Sequence, residues 1–200
     1  MLDKHFPSSP FSSLFLLSFG LLLLNSCSNS ENEAQKKQFT SFADSLTLAT
    51  QKHLVSNLNK AISSEGTPFA VSYCNENALS LTSEMIQENQ IYSIERKAEL
   101  ARNPNNKLSD SYDEKVWNDW KKAKKERLKL KTITYSKENT FIFYKPILLG
   151  MSTCLQCHGN SDEISSVVSE KLATLYPNDE AINFKLNDLR GFWKVTKKLN

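Results

Sequence analysis

Cys154-Leu155-Gln156-Cys157-His158 constrains this chain more than any other stretch. Two cysteines three positions apart can share one turn of backbone, and a histidine follows at once. C-x-x-C-H is the attachment signature of a c-type haem. The two thiols add to the porphyrin vinyl groups and the imidazole sits beneath the iron as an axial ligand. The chain has four Cys and three His in 200 residues. At that composition the pattern arises by accident in roughly one chain in a thousand. A zinc site needs a second Cys/His pair at matching spacing, and none is present. A redox C-x-x-C does not need the following His. The expected cofactor is therefore one haem c, covalently attached at Cys154 and Cys157, with His158 as an iron ligand.

Such attachment takes place outside the cytoplasm, and the N-terminus is an independent test of that. Phe11 to Leu24 is an apolar run behind a short polar start that contains Lys4. It is short for a membrane span and fits the core of a signal peptide. It ends in Leu24-Asn25-Ser26-Cys27, which resembles the lipobox of bacterial lipoproteins. That resemblance implies cleavage before Cys27, lipid on its thiol, and a membrane anchor on the periplasmic or surface side of a bacterial cell envelope. The expected organisation is a signal peptide over 1–26, a flexible polar tether over 27–38 and a haem domain over 39–200. With Cys27 lipidated and Cys154 and Cys157 on haem, Cys74 stands alone, so no intrachain disulfide is expected. A formal net charge of +3 is too small to argue for nucleic acid.

Apolar spacing predicts a long helix over 35–64, a break at Gly66, and a second helix from Pro68 to about Asn89. The second carries Ala70, Cys74, Ala78, Leu81 and Met85 on one face. Residues 91–97 read as a strand and 101–108 as a loop. A helix runs from a Ser109 cap through Arg127, and two strands over 131–135 and 140–147 flank a turn. A short helix at 164–175 and a last strand at 191–197 complete an α+β domain with a small antiparallel sheet. The lysines at the end of the 109–127 helix read as a solvated, dipole-matched terminus or as a docking patch for an acidic partner.

No Met or His follows His158, so the second iron ligand must come from upstream. His53, Met85, Met151, the lysines and Cys74 are the candidates. Cys74 is the strongest on physical grounds. Ala70 and Ala78 lie one turn away on either side, leaving a flat strip for a porphyrin, and thiolate is a good ligand for ferric iron. A small buried core residue is the alternative for Cys74.

Several stretches together resemble the exported c-type haem domains with a PAS-like fold. They are Ala70-Val71-Ser72-Tyr73-Cys74, Arg96 through Arg102-Asn103-Pro104-x-Asn106, Tyr144-Lys145-Pro146-Ile147, Cys154 through Gly159, Tyr176-Pro177-x-Asp179-x-Ala181 and Leu189-Arg190-Gly191-Phe192-Trp193. The resemblance implies a PAS-like sheet with helices, one covalent haem, and His158 plus Cys74 as the axial pair. It also implies that Arg96, Arg102, Asn103 and Asn106 lie beside the haem, contacting propionates or packing the loop. Arg190 and Trp193 are weaker candidates. The implied function is redox or small-molecule (gas) sensing through ligand exchange, with output to a separate protein partner. A low-potential electron carrier is the alternative. No enzymatic role is expected, since a haem peroxidase needs a base at an open face and His53 is the one spare histidine.

Overall fold

A computed structural model describes residues 16–86 and 91–199, with side chains from Ser30 onward. The start of the expected signal peptide, the Cys27 side chain and the last residues of the expected second helix lie outside the described residues. The chain divides between Gln38 and Phe39 into two compact units, and the site belongs to the second. Among the described residues no helix is long and apolar enough to cross a membrane.

Helix α1 spans Leu16–Ser83 and contains one non-helical residue, Gly66, at φ 84° and ψ 176°. That conformation favours glycine, and Pro68 follows where the next helical stretch begins. The expected break is therefore real, although helical residues flank it closely on both sides. Residues 27–38, expected as a tether, are helical as well. The correction has a simple cause. Glu31, Glu33, Ala34, Gln35, Lys36 and Lys37 are good helix formers, and extending an existing helix is far easier than nucleating one.

Strands β1 (Tyr92–Lys97), β2 (Ile133–Lys137), β3 (Thr140–Leu148) and β4 (Leu189–Lys198) form one sheet in the order β1-β4-β3-β2. Every pairing is antiparallel. Helix α2 spans Ser111–Lys125 and α4 spans Ser166–Leu175. Phe141 to Tyr144 are all buried because both faces of β3 are covered. Alternation assigns them to opposite sides. Phe141, Phe143, Trp193 and Val195 pack with Phe39, Ala43 and Leu46 of α1. Ile142, Tyr144 and Phe192 pack with Val116, Trp117 and Trp120 of α2. This is the α+β architecture that the sequence pattern and the resemblance predict.

Two details differ from the sequence reading. Phe42, one of the residues whose apolar spacing predicts the 35–64 helix, is 43% exposed, whereas Thr47 and Thr50 are fully buried. Their hydroxyls donate to the carbonyls of Asp44 and Leu46 at 2.9 and 2.8 Å, which satisfies them locally and lets them pass as small core residues. Asp110, not Ser109, caps α2, accepting from the amides of Tyr112 and Asp113. Ser109 instead donates twice to the Asp113 carboxylate, from its amide at 3.0 Å and its hydroxyl at 2.8 Å.

Lys194 lies buried on this α2 face and donates to Asp110 at 2.6 Å and Asp113 at 2.8 Å. Burial pushes the Asp110 carboxyl up, but the Lys194 ammonium and the two cap amides outweigh it, so its pKa lies below the usual range. The folded chain then binds fewer protons than the unfolded one near pH 4. This stabilisation is present above that pH and is lost as pH falls through it. Urea denaturation of Asp110→Asn should give a lower midpoint at pH 7, and a smaller loss between pH 5 and 3 than the parent chain shows.

Candidate functional site

Between α1 and its face of the sheet lies a cavity of about 350 Å³, within the range of small-molecule and cofactor sites. One wall is α1 on both sides of Gly66, including Leu54, Leu58, Ile62, Ala70, Cys74 and Ala78. Cys154, Cys157 and His158 of the motif also line it. The remaining lining comes from β1 and its following loop, the end of β3, Tyr176, and Arg190 and Gly191 of β4.

The motif is built as one turn. A 3-10 turn over Ser152–Cys154 runs directly into α3, Leu155–His158. Cys154 already has helical φ and ψ of −63° and −31°, so Cys154 and Cys157 project from one face at i, i+3. Gly159 closes the turn, its amide donating to the Leu155 carbonyl at 2.9 Å. A Cβ at Gly159 would stand 2.7 Å from that carbonyl oxygen. The turn is tied to the hinge of α1, since Thr67 Oγ1 donates to Gln156 Oε1 at 2.8 Å.

His158 Nδ1 lies 2.7 Å from the Ala181 carbonyl oxygen. A carbonyl only accepts, so Nδ1 carries the proton and Nε2 keeps its lone pair. Burial holds the imidazole well below its usual pKa, and the charges of Arg190 and Arg102 act in the same direction. The ring is therefore neutral at pH 7, with one nitrogen committed to the backbone and the other available to a metal. Phe184 meets it edge-on at 6.4 Å between centroids.

Burial also raises the pKa of Cys74, against the opposing pull of Arg96 and Arg102. Cys157 is raised likewise, with Arg102 again opposing. Both groups are neutral thiols at pH 7 in the absence of a stronger local charge.

Every haem-side residue singled out in the sequence lines this one cavity: Cys74, Arg96, Arg102, Asn103, Asn106, Cys154, Cys157 and His158. Other candidates fall elsewhere. His53 is not a lining residue; its Nε2 lies 3.4 Å from Asn57 Nδ2 on the same helix. Met85 packs against the core cluster of Phe39 and Phe143. Met151 borders the cavity and is 42% exposed. Trp193 is buried in the sheet, its indole donating to Gln51 Oε1 at 3.2 Å.

The asparagines build the loop. Asn103 Oδ1 accepts from the Asn105 amide at 3.0 Å, and the Asn106 carbonyl accepts from Ala98 at 2.8 Å. Arg102 is tied to Asp179 through Nε at 2.9 Å. Asp179 and Ala181 thus have roles that residue type alone did not reveal; the signal was their place in Tyr176-Pro177-x-Asp179-x-Ala181.

The donor set fits a haem. Two thiols and a neutral imidazole project from one turn, a third thiol stands on the facing helix, and the walls are mainly apolar. The charge balance fits as well. The lining contains Arg96, Lys97, Arg102 and Arg190 but neither Asp nor Glu. Lys97 pairs with Glu95 and Arg102 with Asp179. Arg96 and Arg190 are left without an ion-pair partner among the described residues. Burial pushes Arg190 down to about 9, with Arg102 and Arg96 adding to the effect. Its buried Nε has no hydrogen-bond partner. Two uncompensated guanidiniums are the complement of a ligand with two carboxylates, and haem carries two.

The chain has relatives among known proteins. The Tll0287-like family model matches residues 27–197. Among solved structures, the chain is similar to the crystal structure of the cyanobacterial haem protein Tll0287. The TM-score is 0.61 at 20% identity, over 80% of this chain and 95% of that one. At that identity the likeness establishes the fold. No curated protein matches the chain.

The cavity depends on a close approach of β4 to β1. A Cβ at Gly191 would lie 2.6 Å from the Lys97 carbonyl oxygen. Gly191→Ala should force the strands apart and lower stability by about 1–3 kcal/mol, measured by chemical denaturation.

Proposed function

The chain belongs to the Tll0287-like family, and from that premise we propose that it is a haem protein of the cell envelope that senses redox state or small gaseous molecules. Cys154 and Cys157 would hold one haem c covalently, and His158 and Cys74 would hold its iron. Bound there, a haem supplies a redox-active iron able to take a small-molecule ligand. The observation that carries this reading is the convergence of Cys74, Cys154, Cys157 and His158 on one apolar, cation-rich cavity.

Each residue has a separable task. Cys154 and Cys157 fix the ligand covalently from a single turn. His158 presents Nε2, its ring oriented by the Ala181 carbonyl. Arg96 and Arg190 neutralise the two carboxylates. Cys74 is the exchangeable group. Burial favours its protonated form, against Arg96 and Arg102, so Cys74 would be the weaker-held of the two iron-side residues. Ligand exchange of this kind suits sensing. Lipid on Cys27 anchors the chain on the outer side of a bacterial membrane, and a separate redox or signalling protein receives the output.

Two measurements test the assignment. In cells with a working haem-attachment pathway, intact mass should include one haem, and Cys154→Ser with Cys157→Ser should remove it. A colourless parent chain of unmodified mass would overturn the proposal. The ferric protein should have a six-coordinate thiolate-type spectrum that Cys74→Ala abolishes. Carbon monoxide should bind the reduced protein; reversible cycling without ligand exchange would instead identify an electron carrier.

A further inference from the structure

We propose that Arg102 is the positioning residue for His158: its guanidinium clamps the Asp179–Phe184 segment to the motif turn and so sets the orientation of the imidazole. This rests on the reading of His158 as the haem ligand. Arg102 sits in a loop, 55 residues before Cys157 and 79 before Ala181, yet it reaches both. Its Nη2 donates to the Cys157 carbonyl and to the Ala181 carbonyl at 3.3 Å. Its Nε donates to Asp179 Oδ2 at 2.9 Å. The other Asp179 oxygen accepts from the Ala181 amide at 2.8 Å. The Ala181 carbonyl is the group that receives His158 Nδ1.

One side chain therefore holds the residue before the imidazole and the acceptor that orients it. The neighbouring bonds act on the backbone and not on the ring. Phe184 donates to the His158 carbonyl at 2.9 Å and Asn183 to that of Gly159 at 2.8 Å. Without the guanidinium the turn would keep its place, while the Ala181 carbonyl would lose its Arg102 donor and Asp179, which accepts from the Ala181 amide, would lose its ion-pair partner. Arg102 also shares the Ala181 oxygen with the imidazole. A cationic donor on a carbonyl reduces what that oxygen offers to a second donor, so Arg102 also limits electron donation from His158.

The three arginines of the cavity thus divide their work. Two donor nitrogens of Arg102 are committed to protein acceptors, whereas Arg96 and Arg190 lack carboxylate partners among the described residues. A lysine could supply the charge but not the planar fork that reaches an acid and two carbonyls together. That distinction separates positioning from a general electrostatic effect.

The test uses the full chain matured with haem, comparing the parent with Arg102→Lys and Asp179→Asn, both close in size to the residues they replace. Intact mass, ferric spectra and amide hydrogen exchange are measured on each. The expected result is one haem by mass in all three and a single ferric species in the parent only. Both variants should show mixed ferric species and about tenfold faster exchange at Ala181, Asn183 and Phe184. Arg102→Lys with the parent spectrum and parent protection would overturn the proposal. Should the parent itself carry no haem, the ligand assignment fails, and the exchange rates alone decide whether Arg102 clamps this segment.

Discussion

Burial of both faces of one four-stranded sheet is the constraint on which the rest of this structure depends. β3 and β4 are central and carry large side chains on both surfaces, so neither can face water. Helix α2 with Trp117 and Trp120 closes one side. The N-terminal part of α1 in this unit closes the other through Phe39, Ala43 and Leu46. Farther along, the helix kinks at Gly66 and its residues from Gln51 to Leu81 line a cavity with the sheet. It is largely apolar because it continues a hydrophobic layer, with Leu54, Leu58 and Ile62 of α1 in its lining.

The charged groups around the cavity follow from the same geometry. Arg96 comes from β1, Arg190 from β4 and Arg102 from the loop after β1, so strand order brings three guanidiniums together. Like charges in a desolvated space repel, and each group responds as its partners allow. Arg102 has Asp179, while Arg190 and Arg96 both have lowered pKa values because burial opposes their charge. Such an arrangement stores unfavourable energy until an anion enters. Burial keeps His158 neutral, with the arginine charges adding to it, and favours the protonated forms of Cys74 and Cys157 against those same charges.

Much of this was legible in the residues. The apolar run Phe141 to Tyr144 and the Gly66–Thr67–Pro68 break each announce their element by local chemistry. The haem-side residues are legible because their types are rare together. Other features have no local signature. Thr47 and Thr50 look polar in sequence and become core only because their hydroxyls find carbonyls on their own helix. Phe42 keeps the helical spacing yet is largely exposed and meets Tyr92 at 4.9 Å between centroids. Asp113 resembles any acidic first-turn residue, but it is fully buried against Lys194, 81 positions away.

The sequence by itself determined that one helical turn carries Cys154, Cys157 and His158, because that follows from spacing alone. It also determined that Cys74 is the outstanding upstream sulfur and that helices and strands alternate as they do. Tertiary structure alone decided that Cys74 and His158 line the same cavity. It decided too that Arg102 is committed to Asp179 and two carbonyls, while Arg96 and Arg190 are left without ion-pair partners. These outcomes depend on contacts between residues tens of positions apart, and local spacing carries no information about which distant acceptor a guanidinium or an imidazole will meet.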